Sequence, residues 1–408
     1  MEFIHLNSLI AFSVLLLIGI IGGRIAHFLR FIPKITGFIL AGFFLGPHFL
    51  GVLTPELIES GKIFSEIAVS LIMFELGSQI KFSSYRHSPH LVWMGLTESL
   101  LSFLLIFMTL QIFNINVLNS LLIAAIGVSA SPAITMLIAE EYNASGPVIS
   151  RSLFLTAFNN IMSFCLYTII IFFFQITMNE HHNSIWQVLH PLYSLFGSII
   201  LAMSLSVAMI VLGRFLGKDE NTQFAALIAM LILANGVANA LHLSPLLTSL
   251  IFGIATINLD TKDRLLEVEF GHSGEVFYVI LFVFAGANLH ASMLIDIGWL
   301  AFAFILARFI GKFIPIAIIG RQDHVKESHS FYLTLTLLPM AGTAISLLGS
   351  IKSISIETSV LIYTIVLASI AVLETIGPII TLLSLRLCGE LTPKQPPGLT
   401  EVDITRSG

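Results

Sequence analysis

The chain is poor in charge. Aspartate, glutamate, lysine and arginine together make up 11% of its 408 residues, where a soluble domain carries about 25%. Hydrophobic residues make up 56%, and the mean hydropathy is +0.95. No soluble fold of this length hides so much apolar surface, so the solvent must be lipid. Cysteine is nearly absent: Cys165 and Cys388 both fall in or at the end of apolar runs. They imply no disulfide or metal framework and read as small buried thiols. There is no Walker loop, no His/Cys metal spacing and no nucleophile–base pattern. ATP-driven transport and catalysis are therefore unsupported, and no cofactor, metal or nucleic-acid partner is expected. The first 29 residues lack a basic n-region and a small-residue cleavage site, and read as a retained first helix.

What the chain has is apolar runs. Thirteen stretches stand out: about 4–29, 35–53, 63–80, 90–113, 117–140, 148–178, 190–217, 222–241, 244–258, 272–290, 297–319, 328–352 and 357–387. Most reach the roughly 20 residues that a spanning helix needs. The stretch 244–258 is short and must be tilted, half-buried or broken. The basic residues test this count. Odd-numbered loops, the C-terminal tail and their helix ends hold Arg24, Arg30, Lys34, Lys81, Arg86, Arg151, Arg214, Lys218, Lys262, Arg264, Arg321, Lys326, Arg386, Lys394 and Arg406. The even-numbered side holds only Lys62 and Lys352. A missed or invented span would scramble that separation. The positive-inside rule then puts the N-terminus outside and the tail in the cytoplasm.

The chain also repeats itself. Glu66 to Gly77 and Gln79 resembles Glu275 to Gly286 and Asn288, with acid, glycine and amide at the same spacing. Pro132 and Pro339 fall nearly in step with them. Spans one to six thus echo spans eight to thirteen, and an odd number of spans between equivalent points makes the halves inverted. Inverted repeats with broken helices mark secondary carriers with a site near the midplane. The expected fold is an all-α membrane protein of thirteen transmembrane helices, an inverted-repeat antiporter fold with two crossed broken helices. Residues 1–387 form the membrane domain: repeat one at about 4–178, a linker helix at about 190–217 and repeat two at about 222–387. Residues 388–408, with Pro393, Pro396 and Pro397, form a short cytoplasmic tail.

Polar residues inside the spans carry the chemistry. Pro132 sits between Ser131 and Thr135, and Pro339 is followed by Gly342 and Thr343. A mid-helix proline removes a donor and clashes with the preceding turn, and small hydroxyl residues can satisfy the freed backbone. Two such breaks in equivalent places would cross near the bilayer centre. Asn159 and Asn160 sit near the middle of an apolar span, where they bond to neighbouring helices or bind a substrate. An amide can offer a carbonyl to a cation but cannot exchange a proton. Arg308 and Lys312 share one helix face a turn apart. Lys312, nearer the helix end, is placed to snorkel; Arg308 is deeper and needs a partner. Candidate acids are Glu66, Glu75, Glu98, Glu275 and Glu374. Glu98 and Glu374 are deep enough to carry a proton or to bond to a neighbouring helix.

At these residues the chain resembles the bacterial cation:proton antiporter family, in its Kef-type, monovalent-cation branch. The marks are Ile32-Pro33-Lys34-Ile35-Thr36-Gly37 through Leu45-Gly46-Pro47, Ser131-Pro132-Ala133 with Glu141-Tyr142 and Gly146-Pro147, and Phe284-Ala285-Gly286-Ala287. Further marks are Arg308 with Gly311-Lys312, Leu338-Pro339 with Ala341-Gly342, and Glu374 to Gly377-Pro378 followed by Gly389-Glu390. The resemblance covers nearly the whole membrane part. It implies thirteen helices, a scaffold that forms a homodimer, and a mobile core that moves like an elevator in a cell's inner (plasma) membrane. Members usually carry an acidic pair, or an amide followed by aspartate, where this chain has Asn159-Asn160. Asn160 takes the place of the aspartate that binds cation and proton in turn.

Three readings stay open on the sequence. One is a carrier of a monovalent cation, Na+ or K+, held by Ser131, Thr135, Asn159, Asn160, Thr343 and exposed carbonyls, with protons, if coupled, on Glu374 or Glu98. Another is an uncoupled or anion-selective carrier made positive by Arg308 and Lys312. The third is a non-transporting sensor or partner subunit that keeps only the fold.

Overall fold

The computed structural model describes residues 8–28, 32–47, 49–85, 89–178, 185–217, 219–260, 271–287, 291–322, 327–351 and 356–391. Most of the tail lies outside them, as do Asn288 of the repeat and Arg30, Arg86, Lys218, Lys262, Arg264, Lys326, Lys352, Lys394 and Arg406 of the charge pattern. The described residues are helical almost throughout. The first half holds α1 (Ser8–Phe28), α2 (Lys34–Leu45), α3 (Pro55–Ser78), the short α4 (Phe82–Tyr85), α5 (Pro89–Ile112), α6 (Val117–Val128), α7 (Pro132–Glu141) and α8 (Pro147–Met178). After α9 (Ile185–Leu216) come α10 (Glu220–Ala240), α11 (Pro245–Leu259), α12 (Gly271–Ala287), α13 (Ala291–Gln322), α14 (Glu327–Thr336), α15 (Gly342–Ile351) and α16 (Ile356–Leu387).

Each of the thirteen stretches is one helix or one broken pair. The fifth is α6 and α7, separated by residues 129–131, and the twelfth is α14 and α15, separated by 337–341. Pro132 opens α7 at its first turn, where its missing N–H costs nothing. Pro339 lies inside its unwound segment. Among the described residues, seven segments are apolar and long enough to cross a bilayer alone. The short stretch is α11, and ten of its fifteen residues are buried. It survives at that length because α3 and α9 cover it.

Glycines let the backbones meet and expose the repeat. A Cβ on Gly42 of α2 would lie 2.0 Å from the Val283 carbonyl oxygen of α12, and one on Gly286 of α12 would lie 2.0 Å from that of Ile39. The equivalent helices of the other halves, α11 and α3, do the same: Gly253 meets the Phe74 oxygen at 2.1 Å and Gly77 the Leu250 oxygen at 2.3 Å. The two contacts exchange under the repeat, Gly42 for Gly253 and Gly77 for Gly286. Helices α5 and α13 are each other's equivalents and touch at equivalent positions, for a Cβ on Gly311 would lie 2.4 Å from Cα of Ser102. The pseudo-twofold axis therefore passes between them.

Contacts between connecting segments respect the order of the spans. At the odd loops and the tail, the His27 ring meets the Glu141 carboxylate at 2.7 Å, and Glu141 also accepts from the Lys34 amide at 3.1 Å. Glu390 accepts from the amides of Val148 and Ile149 at 2.6 and 2.8 Å, capping the N-terminus of α8. Asn258 joins the third and ninth loops by bonding the Ile80 carbonyl and the Phe82 amide. At the even loops, Phe113 packs on Trp299 and His190 on His242. Odd meets odd and even meets even, as thirteen crossings require.

Candidate functional site: the crossing of two broken helices

The two unwound segments meet directly. The Ser131 amide donates to the Pro339 carbonyl at 2.8 Å. The Thr135 hydroxyl donates to the Thr336 carbonyl at 3.4 Å, so that residue is tied to the end of α14. Sequence reasoning placed Pro132 and Pro339 together, and the structure does so. Gly342 starts α15 against Val69 of α3. Thr343 follows with a buried hydroxyl that has no partner, as has the Ser131 hydroxyl.

A broken helix leaves bare carbonyls at one end and bare amides at the other. Four carbonyl oxygens of the break are claimed by the two intramembrane cations and Ser131. Arg308 donates through one terminal nitrogen to Gly127, at the end of α6, and through the other to Leu337 at 2.9 Å, at the end of α14. Lys312 donates to the Val128 carbonyl at 3.3 Å. Positive charge at these two C-terminal ends is where the helix dipoles favour it. Lys312 also makes a 2.9 Å ion pair with Glu98, and both side chains are 0% exposed. The expectation that Lys312 snorkels is thus wrong: α13 lies so close to α5 at Gly311 that its ammonium reaches a buried carboxylate instead. Arg308 answers its need with carbonyls, not with an acid in hydrogen-bond reach.

The two asparagines diverge, since neighbours on a helix point about 100° apart. Asn159 accepts from the Ser99 hydroxyl at 2.6 Å and sits beside the Glu98–Lys312 pair. Asn160 accepts from the Ala130 amide at 3.2 Å and so caps the unwound segment of the fifth span. The side-chain nitrogen of Asn160 is buried and unpartnered. Only Asn160 touches the crossing; Asn159 belongs to the α5–α8 contact. Glu374 is on α16, 2% exposed, one turn before Gly377, where a Cβ would meet the Pro339 ring at 2.9 Å.

Sequence reasoning missed several supporting groups. Ser163 donates to the Ala125 carbonyl at 2.7 Å, and the Thr336 hydroxyl donates to that of Ser152 at 2.8 Å, tying α8 to both half-helices. Thr156 and Thr381 carry buried hydroxyls without partners. Helical spacing could have found them: Thr156 is four residues before Asn160, and Thr381 seven after Glu374. The two thiols are free, as expected, but half-buried rather than buried.

Known proteins share this fold. The family model described as sodium/hydrogen exchanger, transmembrane, matches residues 12–385. A protein of Methanocaldococcus jannaschii named probable Na(+)/H(+) antiporter 3 is 23% identical over 360 residues, covering 86% of this chain and 89% of its own. The sodium proton antiporter MjNhaP1 of the same organism, solved at pH 8, superposes with a TM-score of 0.67 at 20% identity, over 93% of this chain and 96% of that one. A second structure of MjNhaP1, from electron microscopy, gives a TM-score of 0.70 at 17% identity, over 94% and 98%. At such identities the superpositions speak for the fold, an inverted-repeat antiporter fold. The match to the family model spans both crossed helices and nearly every other span, and by it the chain belongs to the transmembrane sodium/hydrogen exchanger family, a family of transporters rather than enzymes.

Proposed function

We propose that this protein is a secondary transporter of a monovalent cation, Na+ or K+, exchanged for protons. The observation that carries the reading is the crossing, where the Ser131 and Thr343 hydroxyls are buried without partners and the Asn160 side-chain carbonyl, which holds the Ala130 amide, stands beside them. A hard cation takes oxygen ligands from hydroxyls, amides and free carbonyls. The Thr135 hydroxyl ties α7 to the end of α14 at the crossing, and Asn159 joins α5 to α8 beside it. The family membership and the likeness to named sodium/proton antiporters support the same reading.

The anion-selective alternative loses its ground because its two cations are already engaged. Lys312 is neutralised by Glu98, and Arg308 is spread over two helix ends. The non-transporting alternative has no observation in its favour. The test is flux of labelled sodium and potassium into proteoliposomes with a pH dye inside. Cation-driven pH change is the expected result. Silence in both channels, with the protein folded, would return the chain to a partner subunit.

The carrier sits in the inner (plasma) membrane as a homodimer, with the N-terminus outside and the C-terminus in the cytoplasm. The charge asymmetry between odd and even loops supports that orientation, and the family resemblance supports the dimer. The two repeats about α9 and a short tail after residue 387 remain the proposed division of the chain.

A further inference from the structure

Asparagine at position 160 leaves proton coupling without the acid on α8 that family resemblance would put there. Among the described residues, the buried acids are engaged, save one. Glu98 is paired with Lys312, and Glu75 accepts from the Tyr278 hydroxyl at 3.3 Å. Glu141 meets His27, and Glu390 caps α8. Glu374 alone is buried among the described residues with neither an ion pair nor a hydrogen bond. It stands at the middle of the apolar span Leu361–Leu387.

It lies on the opposite flank of the crossing, on the helix that repeats α8, five residues beyond Ser369, which is the position in step with Asn160. Helices α8 and α16 are equivalent in the two repeats, and each packs on all four half-helices α6, α7, α14 and α15. Asn160 meets the crossing from one flank. Gly377, one turn from Glu374, meets it at Pro339 from the other. The same face of α16 carries the unpartnered hydroxyl of Thr381. Pro378 lies inside the helix and has no N–H for the carbonyl four residues back, which is that of Glu374 itself. This turn thus offers a carboxyl and a released peptide oxygen in one place.

The charged and titratable groups on the surrounding helices leave Glu374 alone. Arg308 and Lys312 of α13 are committed to the crossing and to Glu98. Lys34 of α2, Glu140 and Glu141 of α7, and His329 and Tyr332 of α14 make no bond to it. A lone carboxylate buried in this way is costly unless something neutralises it. A proton can do so, and so can a monovalent cation, but not both at once.

We propose that Glu374 is the proton-exchanging carboxyl of this carrier, moved from α8 to the facing helix α16. The proposal rests on the cation-carrier reading above. On the side where the cation binds, the carboxyl O–H breaks, the proton leaves to water, and the cation takes the carboxylate oxygens. On the other side the cation leaves and a proton returns. One proton moves against each monovalent cation, so the charge at Glu374 is balanced in both loaded states.

The test uses the full chain and two variants, Glu374→Gln, which keeps the shape, and Glu374→Asp, which keeps the acid. One measurement is cation-driven pH change in proteoliposomes loaded with sodium or potassium. The other, in detergent, is the rise in Tm caused by sodium or potassium chloride over choline chloride, followed from acid to alkaline pH. In the wild-type protein the rise should shrink as the pH falls, because protons compete with the cation. Glu374→Gln should lose the pH change and flatten the pH dependence of the Tm rise, while Glu374→Asp retains both. A Glu374→Gln protein with wild-type proton movement and wild-type pH dependence overturns the proposal. Wild-type cation uptake without protons overturns it but leaves the carrier reading standing; wild-type silence towards every cation, in flux and in Tm, overturns both.

Discussion

Two adjacent amides do different work, and the difference can be measured. Asn160→Asp keeps the acceptor for the Ala130 amide and adds an exchangeable proton at the crossing. It is expected to create or enhance cation–proton exchange in proteoliposomes. An inactive, folded Asn160→Asp protein would mean that the crossing is arranged for something else. Lys312→Met leaves Glu98 buried without its partner, and breaking a buried pair costs about 3–5 kcal/mol. A lower Tm in detergent is the expected result, with part of the loss recovered when Glu98→Gln is added. Cys388, after the end of α16, has its thiol pushed up to about 11 by burial and by the Glu390 carboxylate. A raised value means less thiolate at neutral pH, so alkylation should be slow there and speed up as the pH rises. These residues were conspicuous in the sequence because ionisable and amide groups are rare in apolar spans. Their partners were not, since Lys312 meets Glu98 across 214 positions of chain.

Among the elements, the broken pairs were the most legible. Pro132 follows Ser131, Pro339 precedes Gly342 and Thr343, and both breaks are where these prolines put them, whereas Pro191, Pro315 and Pro378 sit inside unbroken helices. The glycine contacts were less so. A glycine in an apolar helix reads the same whether it faces lipid or another backbone, and only the packing of α2 on α12 and α3 on α11 distinguishes them. Gly42→Val and Gly253→Val each put a side chain into a facing carbonyl. Each is expected to lower stability by roughly 1–3 kcal/mol or more, the cost of overpacking, read as a fall in Tm. Gly298 has nothing within 4 Å of an added Cβ, so Gly298→Ala should be tolerated.

For the whole molecule the question is which ends share a side. With Cys165 and Cys388 replaced by serine, Ser145→Cys in the fifth loop and Leu50→Cys in the second should react with an impermeant maleimide from opposite faces of the membrane. Ser145 should be labelled from the cytoplasm. Labelling of both from one face would break the thirteen-span order. That order could be read from basic residues alone, because the cost of moving them through lipid keeps them on one side. The pseudo-twofold could be read in outline, from an acid, a glycine, an amide and a proline in step.

By itself, then, the sequence determined the solvent, the number of spans, the inversion and the two breaks. Each follows from something read along the chain itself: the cost of charge in lipid, a repeated spacing, and a proline set among small and polar residues. Only the tertiary structure decided who satisfies whom: Arg308 with two helix ends, Lys312 with Glu98, Asn159 with Ser99, Asn160 with Ala130, and Glu374 with none. Those pairings join residues tens to hundreds of positions apart. They depend on how closely the glycines let the backbones approach, and that distance is written in no single stretch of chain.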